Sequence, residues 1–169
     1  MKKIAYIITG PESSGSVFIS RVIAHVIGAT KNVNDWKGYG YCNSILPNVR
    51  VLHRSIPYCI SEKYSTLSDL KKEFSGYKLY FIVTTRYHII SNLSKRERFG
   101  KNNEQIKNNL ILSKQIVSEI IKSDEEYFIW NYETMLYLGR AYFDLLYKFL
   151  KVNTTFYPLL KDGNLKYLK

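Results

Sequence analysis

The sequence predicts an α/β fold in which a central, mostly parallel sheet is flanked by helices. Three observations predict it: short apolar runs recur along the chain, each run is apolar on both faces, and helical periodicity fills the intervals. The chain has 169 residues, of which 46% are hydrophobic, and this suffices for one domain with its own core. We therefore expect a single domain over residues 1–169.

Four apolar runs are the expected strands, at residues 4–9, 49–53, 79–84 and 127–130. Ile, Val, Tyr and Phe dominate these runs, as is typical of buried strands. Apolar residues recur at helical spacing in the segments 17–27, 67–74, 106–121 and 135–150. Strands that alternate with helices in this way predict a parallel sheet with right-handed crossovers.

The charge balance favours anionic partners. The formal net charge is +11, which suits nucleotides, phosphorylated or sulfated small molecules, nucleic acid or an acidic membrane surface. No nucleic-acid motif is present, so we expect no specific nucleic-acid partner. No segment approaches the roughly 20 apolar residues of a membrane-spanning helix. The two cysteines, Cys42 and Cys59, form no CxxC pair. A bridge between them is one alternative, but we expect free thiols in a reducing compartment and therefore a cytoplasmic protein.

A glycine-containing turn at residues 10–16 follows the first expected strand. Such a turn before a helix aims backbone N–H groups at one point, where the helix dipole adds positive potential. Gly10 and Gly15 have the GxxxxG spacing of a P-loop, but Ser16 stands where ATPases and kinases have lysine. The missing cation argues against a hydrolytic NTPase. We expect a three-layer P-loop-type fold, with a nucleotide phosphate held by Gly10, Ser13, Ser14, Gly15 and Ser16.

This loop resembles that of the sulfotransferases, which use 3′-phosphoadenosine 5′-phosphosulfate as their donor. The family's loop reads roughly Pro-Lys-Ser-Gly-Thr-Thr, and Pro11 and residues 14–16 fall in matching places. Glu12 and Ser13 stand where the family has the lysine that assists departure of the leaving group. The resemblance implies that the loop holds the 5′-phosphosulfate side of the donor.

A second resemblance follows the third expected strand. The family binds the 3′-phosphate of the donor with an arginine at a strand end and a serine eight residues later on the following helix. Arg86 and Ser94 have this spacing and context, with Ser91 as the alternative one turn earlier. The resemblance implies that Arg86 makes a charge-assisted fork to the 3′-phosphate and that the serine hydroxyl supplies a further donor.

Weaker similarity extends over roughly residues 4–150. Tyr132 and Glu133, after the fourth expected strand, resemble the Tyr-Glu-Asp-Leu segment of the family, and we expect them to be structural. The tail at residues 160–164 is only faintly similar to the family's Arg-Lys-Gly phosphate loop.

The expected catalytic residues follow the second strand. Sulfotransferases often place a catalytic histidine, closely followed by proline, at this point. The resemblance therefore implies that His53 is the base and makes Arg54 a candidate substitute for the missing lysine. Pro57 lies farther along than in the family's common Thr-His-x-Pro pattern. No cluster has metal-ligand spacing, so we expect no metal.

Together the resemblances imply a sulfotransferase-like enzyme that transfers a sulfuryl group from 3′-phosphoadenosine 5′-phosphosulfate to a hydroxyl of a sugar, glycan or other small acceptor. Two alternatives stay open: an atypical P-loop kinase of a nucleotide or small molecule, and a non-catalytic protein that binds a nucleotide or another anion. The kinase needs a magnesium-binding carboxylate at a strand end, whereas Asp35 and Asp124 lie in expected loops. The acceptor and the oligomeric state do not follow from the sequence.

Overall fold

Strands and helices alternate along most of the chain. The computed structural model describes residues 3–60 and 63–168. The strands are β1 (Ile4–Pro11), β2 (Gly40–Tyr41), β3 (Val49–Ile56), β4 (Cys59–Ile60), β5 (Lys63–Tyr64), β6 (Lys78–Thr85) and β7 (Glu126–Asn131). The helices are α1 (Ser16–Val26), α2 (Leu67–Glu73), α3 (His88–Phe99), α4 (Asn103–Lys122), α5 (Tyr132–Leu138) and α6 (Arg140–Leu150), followed by a 3₁₀ helix, Leu165–Tyr167.

Five strands form one sheet in the order β2-β3-β1-β6-β7. β1 pairs in parallel with β3 and with β6, and β6 pairs in parallel with β7. The two-residue β2 runs antiparallel to β3, and β4 and β5 form a separate hairpin. The predicted α/β fold with a central, mostly parallel sheet is therefore confirmed.

The strands alternate their side chains between two hydrophobic cores, one on each face of the sheet. Tyr6 and Ile8 of β1 pack in the core that contains buried residues of α1, α5 and α6. Ala5 and Ile7 point the other way, into the core with α2 and α4. Ile7 and Ile8 are both fully buried, and burial of a side chain of this size stabilises a fold by roughly 1.5–3 kcal/mol. Helices thus flank both faces of the sheet.

The predicted strands are confirmed, and each extends a residue or more beyond its apolar run. The single helix expected over residues 135–150 is wrong, because Gly139 separates α5 from α6. Gly139 has φ 53° and ψ −125°, which lies outside the helical region. The apolar spacing continues on both sides of this break, so periodicity alone does not reveal it.

The strand order creates a topological switch between β1 and β6. The chain passes from β1 to β3 on one side, and then from β3 across β1 to β6 on the other. In open α/β sheets, a crevice that binds ligands forms outside the carboxyl ends of the strands at such a point. The 10–16 turn follows β1 and Arg86 follows β6, so both lie at this edge.

Candidate functional site

A cavity of about 520 Å³ opens at the carboxyl edge of the sheet. Its size lies within the roughly 300–1,000 Å³ of pockets that hold small molecules. Five of the residues predicted for the donor site line it together, although they come from two distant segments: Ser13, Gly15, Ser16, Arg86 and Ser94. The structure thus brings the two predicted phosphate-binding segments to one place.

The 10–16 turn is held in a conformation that leaves the start of α1 uncapped. Ser13 and Gly15 have φ of 64° and 81°, in the left-handed region, and Gly15 caps α1 without a side-chain hydrogen bond. The first turn of α1 contains no acidic residue. Its backbone N–H groups and the positive end of the helix dipole are therefore available to an anion.

Gly10 and Ser14 do not line the cavity. They support the turn through contacts with Thr84 of β6. A Cβ at Gly10 would lie 2.2 Å from the carbonyl oxygen of Thr84, so only glycine fits there. Ser14 is buried, and its hydroxyl shares a 2.7 Å hydrogen bond with the hydroxyl of Thr84. Both residues therefore fix the turn against β6.

Four cationic side chains line the cavity: Arg21, Arg86, Arg98 and Lys166. None of the described residues that line it is acidic. Lys166 also pairs with Glu97 at its outer side, at 3.1 Å. Cations that surround a concave site focus a positive potential inside it, so the cavity suits an anion. Arg98 belongs to the basic run at residues 95–98, for which the sequence suggests attraction of an anionic donor or acceptor. Arg21 and Lys166 were missed by the sequence reasoning, because cations on helices and tails are usually solvated.

Arg86 ties the turn to the carboxy-terminal tail. Its Nε and Nη2 donate to Asn164 Oδ1 at 2.8 and 2.6 Å, and its Nη2 also donates to the carbonyl of Gly163. Nη1 donates to the carbonyl of Ser13 at 3.2 Å, and the guanidinium stacks over the ring of Tyr132 at 4.7 Å. These contacts leave one Nη1 N–H of Arg86 without a hydrogen-bond partner among the described residues.

The tail docks through the residues that follow β7. Tyr132 OH donates to the carbonyl of Lys161 and accepts from the N–H of Gly163. Asn164, only 7% exposed, donates from Nδ2 to Glu133 Oε1 at 3.1 Å. This docking places Lys166 and Tyr167 in the cavity wall, a contribution signalled only by the faint similarity at residues 160–164.

The two serines of α3 have different positions. Ser94 is 2% exposed and lines the cavity, as its predicted role requires. Ser91 instead donates its hydroxyl hydrogen to the carbonyl oxygen of Glu12 at 3.0 Å. The alternative residue therefore holds α3 against the turn.

The structure does not bring the predicted catalytic residues His53 and Arg54 into the cavity. His53 is 6% exposed; its Nδ1–H donates to the carbonyl of Gly38 at 2.6 Å, and its buried Nε2 has no partner among the described residues. Burial lowers the pKa of His53. Arg54 makes a fork to Glu73, with distances of 2.8 and 3.0 Å. Their catalytic roles therefore stay predictions.

No protein-family model matches the chain, and no curated protein matches its sequence. Within residues 3–60 and 63–168, no group of three or more His, Cys, Asp or Glu side chains is arranged to hold a metal ion. Over the same residues, no helix combines the length and apolar character needed to cross a membrane. The function is therefore proposed on the geometry of the cavity.

Proposed function

We propose that the chain is a sulfotransferase-like enzyme on a P-loop-type fold, and that it binds 3′-phosphoadenosine 5′-phosphosulfate in the cationic cavity. One observation carries the proposal: the uncapped start of α1 and the Arg86–Ser94 pair line the same cavity. The donor has two separate phosphate groups, and the cavity is lined by polar groups from two distant segments of the chain. A nucleotide with a single phosphate chain needs only one of them.

In this proposal, the N–H groups at the start of α1 and the hydroxyl of Ser16 bind the 5′-phosphosulfate. Arg86 and Ser94 bind the 3′-phosphate, and Arg98 and Lys166 add positive charge. Aromatic side chains in the cavity wall, Phe18 and Tyr167 among them, offer apolar surface for the adenine ring.

In sulfuryl transfer, the acceptor oxygen bonds to sulfur while the bond from sulfur to the 5′-phosphate oxygen breaks. The leaving phosphate gains charge, which oriented N–H groups stabilise without reorganisation. The acceptor hydroxyl must also lose its proton. His53 serves as this base only if its Nε2 is uncovered, because its Nδ1–H is bonded to Gly38.

A second candidate is a protein that binds the same nucleotide, or another anion, without catalysis. The positions of His53 and Arg54 favour it, because neither lines the cavity and Arg54 is engaged with Glu73. An assay for release of 3′-phosphoadenosine 5′-phosphate in the presence of hydroxyl acceptors separates the two. Turnover supports the enzyme, and nucleotide binding without turnover across the acceptors supports the binding protein. Magnesium-dependent turnover of ATP would instead support the kinase.

Calorimetric titration with 3′-phosphoadenosine 5′-phosphate tests the binding step. We expect a dissociation constant of about 1 μM or below. Arg86→Ala should weaken it at least tenfold, because a hydrogen bond to a charged group contributes roughly 1.5–3 kcal/mol. Arg50→Ala is the matched control, since Arg50 is exposed at the amino end of β3, the opposite edge of the sheet. No binding, or binding unchanged by Arg86→Ala, would contradict the proposal.

A further inference from the structure

Glu12 places a carboxylate in the 10–16 turn, which is the phosphate loop of the proposed function. A negative charge at this position opposes the binding of an anionic ligand. The structure neutralises this charge locally. The ammonium of Lys101, in the connection between α3 and α4, forms an ion pair with the carboxylate of Glu12. About a quarter of each side chain or less remains exposed, so solvent screens the pair only in part.

A second lysine lies beside this pair. Lys95 is only 3% exposed, and it follows Ser94 in α3. Ser91 and Lys95 are four residues apart and share one face of the helix. Because Ser91 donates to the carbonyl oxygen of Glu12 at 3.0 Å, this face of α3 packs against the phosphate loop.

The charges around Lys95 do not cancel. Lys95 lies close enough to Glu12 and Lys101 for both to act on its pKa, which burial lowers most, the carboxylate raises and the second ammonium lowers further. The carboxylate of Glu12 is paired with Lys101, not with Lys95. Among the described residues, none makes an ion pair with Lys95. A buried, unpaired ammonium is costly, and an anion bound at the loop offsets that cost.

We propose that Lys95 supplies the positive charge that the phosphate loop lacks in its own residues, while Lys101 neutralises Glu12. The inference rests on the proposed function, because it takes the loop to be the site of a phosphate. Lys95 does not line the cavity, so it acts on the ligand through its field and not by direct contact. The ligand class that such a field favours is a multiply charged phosphate, such as a pyrophosphate or phosphosulfate group.

A charge-balance cycle tests this role with inorganic pyrophosphate as the probe, by calorimetry at low salt. Lys95→Met should weaken pyrophosphate binding about tenfold, as expected for loss of one unit charge at a partly buried position. Glu12→Gln should strengthen binding several-fold. The double variant should return to within about threefold of the original affinity, because each change removes one charge of opposite sign.

Lys114→Met is the matched control, because Lys114 is exposed on α4, and it should leave the affinity unchanged. Lys95→Arg should retain most of the affinity. Thermal unfolding without ligand shows which variants are folded. If Lys95→Met does not fold, Glu12→Gln decides, since unchanged affinity in that variant would overturn the inference.

The binding results distinguish a failure of the role of Lys95 from a failure of the proposed function. A Lys95→Met protein that binds normally, or a double variant as weak as Lys95→Met, overturns the role of Lys95. An original chain that binds no pyrophosphate overturns it as well. A chain that binds pyrophosphate in a Lys95-dependent way but does not bind 3′-phosphoadenosine 5′-phosphate retains the inference and contradicts the proposed function.

Discussion

At the scale of single residues, the 10–16 turn depends on backbone positions that only glycine tolerates. Gly15 has φ +81°, and a Cβ there would lie 2.6 Å from Cδ2 of Tyr132. The left-handed conformation and the steric clash are separate costs. Gly76 offers a comparison, because it has φ +82° and nothing within 4 Å of its added Cβ.

We expect Gly15→Ala to destabilise the fold more than Gly76→Ala does. The control should cost about 1–2 kcal/mol through the left-handed conformation alone, and Gly15→Ala should cost more because Tyr132 must move. Urea unfolding of both variants measures the difference. Equal losses would show that Tyr132 does not restrict the loop.

Protonation of His53 should destabilise the fold. Its pKa is lowered from 6.5 in the folded chain, so the unfolded chain binds the proton more readily. The stability that the neutral ring contributes is therefore fully present above about pH 6.5 and is lost as the pH falls through the lower pKa of the folded state.

Unfolding free energies measured between pH 8 and pH 5 check this dependence. His53→Asn should reduce the slope, whereas His88→Asn, which changes an exposed residue, should keep it. If the slope persists in His53→Asn, another group is responsible for the pH dependence.

At the scale of elements, the carboxy-terminal tail depends on a few polar contacts. Asn164 joins Arg86 to Glu133, and the neighbouring residues Gly163, Lys166 and Tyr167 line the cavity. Asn164→Ala should cost about 1–3 kcal/mol, because it leaves the half-buried guanidinium of Arg86 and the carboxylate of Glu133 without their common partner.

Limited trypsin digestion should cut Asn164→Ala at Lys161 or Lys166 before other sites. Asn153→Ala is the control, since Asn153 is an exposed residue of the preceding segment, and its effect should stay within about 0.5 kcal/mol. Identical tail cleavage in the two variants would show that Asn164 does not hold the tail.

Variants of the ion pair between β3 and α2 test whether Arg54 is catalytic, as predicted, or structural. Its fork to Glu73 joins the end of the strand to the end of the helix. If the role is structural, Arg54→Met and Glu73→Gln should lose similar stability, about 1–3 kcal/mol each, and similar activity. A loss of sulfuryl transfer in Arg54→Met alone, with stability matched, would support a catalytic role.

At the scale of the whole molecule, local pattern was enough for the fold but not for the details of the site. The strands β1, β3 and β6 follow from apolar runs because a strand buried on both faces has no polar alternation. The strand β7 follows from such a run as well, although its Tyr127 and Ile129 are exposed at the edge of the sheet. The two-residue strands β2, β4 and β5 are too short to form a periodic pattern. The break at Gly139 depends on one backbone conformation, which apolar spacing does not record.

In the candidate site too, some residues could be predicted from local sequence, whereas others depend on long-range contacts. The 10–16 turn and Arg86 each follow a strand, and Ser94 lies on the helix after β6, so their positions at one sheet edge could be predicted from the sequence. Lys166 reaches the cavity only because the tail folds back onto Arg86 and Glu133, a long-range contact without a local signal. His53 also ends a predicted strand, but its hydrogen bond to Gly38 depends on the irregular segment between α1 and β3.

The most direct test of the central claim is a crystal structure of the chain with 3′-phosphoadenosine 5′-phosphate. We predict the nucleotide in the 520 Å³ cavity, with its 5′-phosphate on the N–H groups at the start of α1. Its 3′-phosphate should lie within hydrogen-bond distance of Arg86 and Ser94. A nucleotide bound elsewhere, or one whose 3′-phosphate contacts neither residue, would contradict the account.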